Sequence, residues 1–201
     1  MTHVLLDIAD GIGTAPLNPP EKLSAFFGAM RDEIGIALEE VASREDVRVV
    51  VLTGKGRAFC TGADVGYMAG LIERGEFEEA KALVTAGRRV IGAITSMDKP
   101  VIASLNGPAA GGGANLALAC DLRIASDRAS IGQTFNRIGL HPDWGGTWLL
   151  PRLVGRARAA ELFFFAEMVD AAEAQRLGLV NRVVPHDELE AATLEMLGSA
   201  K

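Results

Sequence analysis

A run of glycines, Gly111–Gly113, lies where an apolar strand-like segment, Val101–Leu105, gives way to a helical pattern. The first N–H groups of a helix have no partner within it, and glycine lets a ligand approach them closely. Because the helix dipole adds partial positive charge there, the turn suits an oxygen that carries or gains negative charge. The alternative is that the glycines form only a loose turn or a close helix crossing.

A second loop, Thr53–Val65 with the sequence TGKGRAFCTGADV, follows the β-branched run Val47–Leu52. It ends in a Gly-Ala-Asp turn, which can present backbone N–H groups. Two such loops facing each other would form an oxyanion hole, whose donors must be in place before negative charge develops.

Together these stretches resemble the crotonase (enoyl-CoA hydratase/isomerase) superfamily. The similarity runs from about Gly13 to Pro185 and includes the downstream sequence LHPDWGGTWLLPRLVGRARAAEL. By this resemblance the oxyanion donors are the N–H groups of Ala63 and Gly112, which would hold the thioester carbonyl of an acyl-CoA as it becomes an enolate. A coenzyme A thioester is then the substrate, and we expect no permanently bound cofactor.

The resemblance also implies which residues contact coenzyme A, namely Lys22, Ala63, Asp64, Val65 and Gly112. Lys22 lies in the opening segment that touches the nucleotide in this family, although it also fits a solvated surface lysine. Asp64 is interpreted as a residue that orders the loop or contacts the nucleotide side, and not as an acid.

The acid–base pair of the family's hydratases is missing. These enzymes use one glutamate just after the glycine run and another just after the next strand, where this chain has Asn115 and Phe135. Neither side chain can exchange a proton. Adding water to a double bond needs one group to activate the water and one to protonate carbon, so ordinary hydration is not favoured.

Asp143, in the sequence HPDWGGT, is the carboxylate that remains for proton transfer. Its turn, fixed by Pro142 and a glycine pair, could direct the acid into an apolar pocket, where burial would raise its pKa. The segment resembles bacterial enoyl-CoA isomerases, in which one acid can move a proton between two carbons. Asp143 could instead cap the helix that follows. His141 is the second possible base.

Hydrophobic periodicity predicts alternating strands and helices. The predicted strands are Val4–Ala9, Gly13–Leu17, Val47–Thr53, Val101–Leu105, Leu122–Ala125, Ala129–Ile131 and Leu179–Val184. The predicted helices run from Pro20 or Glu21 to Arg44, over Phe77–Met97, from the glycine turn to Cys120, and over Arg156–Glu167, Ala171–Leu177 and Asp187–Leu197.

This alternation predicts an α/β fold with right-handed crossovers and a mostly parallel sheet. The resemblance implies a spiral of ββα units. We expect an acyl-CoA-binding core over residues 1–150 and a short helical C-terminal part over residues 151–201, without the family's last helices. The resemblance further implies a homotrimer or hexamer.

Composition narrows the class of protein. The chain of 201 residues is 49% hydrophobic and 23% charged, as expected of a folded domain. Its net charge of −6 argues against nucleic-acid binding. Cys60 and Cys120 are too few for a disulfide framework, which suits the cytoplasm. We expect no membrane span, and His3 and His186 show no metal-ligand pattern.

Three hypotheses follow for the function. The first is an enzyme that stabilises a thioester enolate and shifts a double bond in an enoyl-CoA. The second is a hydratase or lyase that uses an atypical acid. The third is an acyl-CoA-binding subunit without catalysis.

Overall fold

The chain folds around two β-sheets. A computed structural model describes residues 3–18, 24–26 and 28–198. The strands are β1 (Asp7–Ala9), β2 (Ile12–Leu17), β3 (Val49–Gly54), β4 (Val101–Leu105), β5 (Ala109–Ala110), β6 (Leu122–Ser126), β7 (Ser130–Gly132), β8 (Met168–Asp170) and β9 (Arg182–Val184). The helices are α1 (Met30–Ser43), α2 (Val65–Glu73), α3 (Phe77–Thr95), α4 (Gly112–Ala119), α5 (Gly146–Val154), α6 (Arg156–Phe165), α7 (Ala171–Arg176) and α8 (Leu189–Gly198).

The larger sheet has the strand order β1-β2-β3-β4-β6-β9. Among the strands that the structure describes in this sheet, only the β1–β2 pair is antiparallel, so the prediction of a mostly parallel sheet is confirmed. Every residue of β4 is buried, as expected for a central strand covered on both faces. Parallel strands end at the same edge, so the loops that follow β3 and β4 emerge side by side.

The smaller sheet, β5-β7-β8, makes the fold a spiral. After β4 in the larger sheet, the chain adds β5 to the smaller sheet and then forms α4. It repeats this course with β6 and β7 before α5 and α6. Cys60, in the loop after β3, forms a parallel bridge with Ala109 of β5. The segment after β3 thus also runs from the larger sheet to the smaller sheet before it forms α2. The predicted ββα spiral is confirmed.

The core lies on both faces of the larger sheet. The main cluster joins α1, α3 and α4 to the sheet and includes Leu38, Leu52, Val90 and Leu116. A smaller cluster packs α8 against the other face. No helix within the described part of the chain has the length and apolar character needed to cross a bilayer.

The helix predicted from Pro20 or Glu21 to Arg44 starts later than expected. α1 begins at Met30, and the described residues just before it are not helical. Ser24 and Gly28 have positive φ values of 53° and 48°, which a helix does not allow. The backbone of Phe26 instead pairs with Ala63. This long-range pairing overrides the local helical pattern.

Residues 151–201, predicted as a helical segment, also contribute strands. β8 pairs with β7 in the smaller sheet, and β9 pairs with β6 at the edge of the larger sheet. The predicted strand Leu179–Val184 is present in its second half only. The short β5 and β8 have no counterpart in the sequence predictions, because two or three residues carry no periodicity.

Candidate active site

The two glycine-containing loops lie against each other. The N–H of Ala110 donates to the carbonyl of Cys60 over 3.0 Å. A Cβ atom on Gly113 would overlap the Cys60 carbonyl, and one on Gly62 would lie 2.7 Å from the Ala110 carbonyl oxygen. Glycine is therefore required at both positions because the backbones approach so closely. The prediction that these two loops face each other is confirmed.

Asn106 also ties these loops together. Its Oδ1 accepts a hydrogen bond from the N–H of Gly54 at 3.0 Å. Its Nδ2 donates to the carbonyls of Gly56 and Ala58, at 2.8 and 3.2 Å. One amide at the end of β4 thus holds the whole turn that follows β3.

The N–H of Ala63 points away from Phe26, the residue with which Ala63 pairs. In the parallel bridge with Phe26, the N–H of Phe26 donates to Gly62 and the N–H of Asp64 donates to Phe26, over 2.7 and 3.1 Å. This alternation directs the N–H of Ala63 to the opposite side. Among the described residues, it has no backbone acceptor.

The N–H of Gly112 lies at the start of α4, where the intrahelical ladder leaves donors free. Gly111 precedes it with φ at +54°, a conformation that favours glycine, and donates its own N–H to the carbonyl of Gly132. A Cβ atom on Gly62 would lie 3.2 Å from the Gly112 nitrogen, so the turns containing Ala63 and Gly112 adjoin. No backbone acceptor for the Gly112 N–H occurs in the described ranges.

An aromatic pair covers the glycine turn. The rings of Phe26 and Trp144 stack with centroids 4.2 Å apart and planes 9° from parallel. A Cβ atom on Gly112 would lie 3.2 Å from Phe26 Cε2 and 3.7 Å from Trp144 Cδ1. Trp144, which follows Asp143, therefore contacts the predicted oxyanion turn. By contrast, Trp148 is exposed and lies beneath the guanidinium of Arg152.

Asp143 is partly buried beside this aromatic pair. Burial raises the pKa of its carboxyl above the ordinary aspartate value, while Arg31, its own backbone N–H and His141 act in the opposite direction. α5 begins at Gly146 without a side-chain cap, and the main-chain carbonyl of Asp143 accepts the Gly146 N–H. The interpretation of Asp143 as a helix cap is therefore wrong.

Asn115, at the position of the family's first glutamate, braces the Asp143 turn. It is fully buried, and its Nδ2 donates to the Asp143 carbonyl over 2.8 Å. Its Oδ1 accepts a hydrogen bond from Gln133 Nε2 over 2.7 Å. Phe135 is also buried, with its ring against Gly111. The two positions at which the resemblance implies carboxylates in hydratases thus hold an amide and a phenyl ring.

Arg31 is a site residue that the sequence analysis missed. It lies on the buried face of α1 and is only 4% exposed, with its guanidinium 5.4 Å from the Phe26 ring centroid. Because Phe26 also stacks on Trp144, the residue that follows Asp143, Arg31 lies on the same side of the site as the Asp143 turn. A charged residue amid the apolar helical pattern was the signal that could have revealed it.

The other residues predicted to contact coenzyme A or to act as a base differ in their surroundings. Asp64 caps α2 by accepting the Tyr67 N–H over 2.9 Å, which agrees with the loop-ordering interpretation. Val65 is exposed at the start of α2. His141 is exposed as well. Lys22 lies outside the described residues.

Cys60, next to the first loop, is a packing residue. Its thiol is fully buried and donates to the Ser24 carbonyl over 3.0 Å. Burial raises its pKa to about 12, so the reactive thiolate is not formed near neutral pH. Within the described ranges, no cluster of three or more His, Cys, Asp or Glu residues is arranged to hold a metal.

This geometry can support enolate chemistry. Two adjoining turns each carry a backbone N–H group that could receive a carbonyl oxygen, and a partly buried carboxyl with a raised pKa could transfer a proton nearby. A second ionisable group is not needed for such a transfer, because one carboxyl group can both take and return a proton.

Comparison with known proteins identifies the family. The family model for Enoyl-CoA hydratase/isomerase matches residues 7–199. A probable enoyl-CoA hydratase from Rhodobacter capsulatus is 46% identical over 92% of this chain and 69% of its own length. The 1,2-epoxyphenylacetyl-CoA isomerase from Escherichia coli is 36% identical over 98% of this chain and 75% of its own length.

A solved structure shows the same fold. The enoyl-CoA hydratase from Bacillus anthracis superimposes with a TM-score of 0.93 at 36% identity, covering 98% of this chain and 76% of that one. Fold, loop geometry and sequence thus lead to one assignment. The chain belongs to the enoyl-CoA hydratase/isomerase family, the crotonase superfamily.

Proposed function

We propose that this protein binds enoyl-CoA thioesters and shifts their double bond, with Asp143 as the proton shuttle. The observation that carries the proposal is the position of Asp143. Its partly buried carboxyl lies on a turn that Trp144 packs against the Gly112 loop and that Asn115 ties to α4. Membership of the family supports the acyl-CoA substrate class.

The thioester carbonyl would accept hydrogen bonds from the N–H groups of Ala63 and Gly112. Both donors are held by backbone pairing, so little reorganisation is needed when negative charge develops on the oxygen. The helix dipole of α4 adds to this stabilisation at Gly112. Coenzyme A is thus part of the substrate and not a resident cofactor.

The proton transfer needs only one carboxyl group. The Asp143 carboxylate would take a proton from carbon 2 of a 3-enoyl thioester, and the electron pair would move through the thioester carbon onto its oxygen. The resulting dienolate would then take the same proton at carbon 4, which gives the 2-enoyl thioester. Burial raises the pKa of Asp143 and makes the carboxylate a stronger base for this step.

Hydration is the second candidate, because the Rhodobacter capsulatus relative is named as a probable hydratase. The site favours it less. The Asn115 amide is engaged with the Asp143 carbonyl and with Gln133, and Phe135 is an apolar side chain. Neither can activate a water molecule.

The test is the Asp143→Asn variant, assayed with 3-hexenoyl-CoA. Asparagine keeps the shape of the side chain but cannot exchange a proton, so we expect kcat to fall about a hundredfold or more. Affinity for hexanoyl-CoA should change little. The matched control is Asp127→Asn, since Asp127 is exposed on the turn after β6 and should leave turnover unchanged.

Three results would contradict parts of the proposal. Full isomerisation by the folded Asp143→Asn protein would transfer the role to His141 or another group. Hydration of 2-hexenoyl-CoA without isomerisation of 3-hexenoyl-CoA would favour the hydratase. Binding of both thioesters without turnover would favour an acyl-CoA-binding subunit.

A further inference from the structure

Arg31 has a buried guanidinium with donors left over. The side chain is 4% exposed, and its Nε and Nη1 atoms are buried without a hydrogen-bond partner among the residues that the structure describes. Its contact with the Phe26 ring, 5.4 Å from the centroid, engages the cation but none of these N–H donors.

Burial of a guanidinium with unpaired donors is unfavourable in free energy unless a bound anion pairs with it. Burying an unpaired cation sacrifices its hydration, and a guanidinium does not escape by losing its proton near neutral pH. Burial lowers the pKa of Arg31 from a very high ordinary value, which leaves the group charged. Its planar fork of donors is shaped to bind a carboxylate in a bidentate manner.

The location of Arg31 identifies which molecule would bring that carboxylate. The guanidinium lies 5.4 Å from the centroid of the Phe26 ring, and the backbone of Phe26 pairs with Ala63, so Arg31 stands beside the first proposed oxyanion loop. Phe26, which the guanidinium faces, also contacts the position of Gly112. An anion bound by Arg31 would thus share the site with the thioester but stand apart from its carbonyl.

We propose that Arg31 binds a second carboxylate at the far end of the acyl group, which makes the preferred substrates enoyl-CoA thioesters of dicarboxylic acids. This inference rests on the proposed function, because it assumes that an acyl-CoA occupies the site. The anion supplies the partner that the Nε and Nη1 donors lack. An uncharged acyl chain of equal length would leave them unpaired.

Calorimetry with matched saturated ligands tests this directly on the wild-type protein. The pairs are glutaryl-CoA with pentanoyl-CoA, adipyl-CoA with hexanoyl-CoA, and suberyl-CoA with octanoyl-CoA. We expect the carboxylated member to bind about tenfold more tightly, or better, in at least one pair, as for a buried charge-assisted hydrogen bond. In Arg31→Gln this preference should vanish, whereas Arg89→Gln, which alters an exposed ion pair with Glu39, should retain it.

The outcomes separate this inference from the proposed function. Equal affinities within all three pairs in the wild-type protein, or a preference that persists in folded Arg31→Gln, would overturn the role of Arg31 alone. If no ligand of any pair binds, both proposals fail. The wild-type comparison decides the matter even if Arg31→Gln does not fold.

Discussion

At the scale of single residues, the site depends on positions where only a small side chain fits. Gly112 is one with little space, because a Cβ atom there would lie 3.2 Å from Phe26 Cε2 and 3.7 Å from Trp144 Cδ1. The same residue supplies a predicted oxyanion donor at the start of α4. Packing and the predicted chemistry therefore both favour glycine at this position.

We predict that Gly112→Val abolishes acyl-CoA binding while the protein remains folded. The added methyl groups would push into the aromatic pair and occupy the approach to the N–H group. Hexanoyl-CoA affinity measured by calorimetry, with a thermal melt to verify folding, checks this. Gly92→Val is the control, because a Cβ atom on Gly92 meets nothing within 4 Å. Unchanged affinity in folded Gly112→Val would refute the oxyanion assignment.

The pH dependence of turnover should report the carboxyl of Asp143. As a base it must be ionised, so kcat/KM should fall as the pH drops through its pKa. Because burial raises that pKa, the fall should occur above the pH typical of a solvated aspartate. Arg31 lowers the pKa, so Arg31→Gln should move this limb to higher pH.

The measurement is the pH profile of kcat/KM with the uncharged substrate 3-hexenoyl-CoA. Loss of the limb in Asp143→Asn would confirm its assignment. A limb that stays in place or moves to lower pH in Arg31→Gln would show that Arg31 does not act on the ionisation of Asp143.

At the scale of secondary-structure elements, α3 packs against Trp144, although the two are far apart in the sequence. The indole lies so close to Gly87 that a Cβ atom on this glycine would overlap Nε1. Gly87 lies within the continuous helix α3, although glycine there weakens the helix itself. Gly87 thus lowers the intrinsic stability of α3 but leaves the space that the Trp144 indole occupies.

We predict opposite effects for two Gly→Ala changes on this helix. Gly87→Ala should displace Trp144, lower the melting temperature and reduce turnover of 3-hexenoyl-CoA about tenfold or more, as misplacement of site groups does. Gly92→Ala should stabilise the protein by up to about 1 kcal/mol and leave turnover unchanged. Equal turnover in the two variants would show that Gly87 has no role in placing the turn.

At the scale of the whole molecule, large apolar side chains remain exposed on adjoining elements. Trp148 on α5 and Phe164 and Phe165 on α6 are 62%, 72% and 68% exposed. The nearby Ile138 and Leu140 are exposed as well, and Asn136 links their segment to α6. Exposed apolar surface of this kind is typical of a contact between protein chains.

We predict that this surface joins copies of the chain into a homotrimer or hexamer. Light scattering should give about three or six times the chain mass of 21.2 kDa at micromolar concentration. Phe164→Asp with Phe165→Asp should yield a smaller species. Phe77→Asp, at an equally exposed aromatic residue on α3, should not. A wild-type monomer would contradict the prediction.

The sequence alone was sufficient for a mostly parallel α/β fold and for the two loops, whereas the spiral of ββα units was implied by the family resemblance. Strand and helix periodicity is a local property, and the Gly-rich turns mark where the backbone must approach another backbone or a ligand. Asn115 and Phe135 likewise needed no structure to argue against ordinary hydration, because they stand where the resemblance implies the hydratase glutamates and neither can exchange a proton. The raised pKa of Asp143 was predicted from its apolar surroundings, and the structure agrees.

Only the tertiary structure decided which side chains meet at the site. The pairing of Phe26 with Ala63 delays the start of α1, and the Asn115 amide holds the Asp143 turn. Arg31 is buried, and two of its donor atoms have no partner within the described part of the chain. Each is a contact between residues distant in sequence, and periodicity carries no information about such partners. The direction of a side chain in a folded core depends on how all its neighbours pack, and that is a property of the assembled chain.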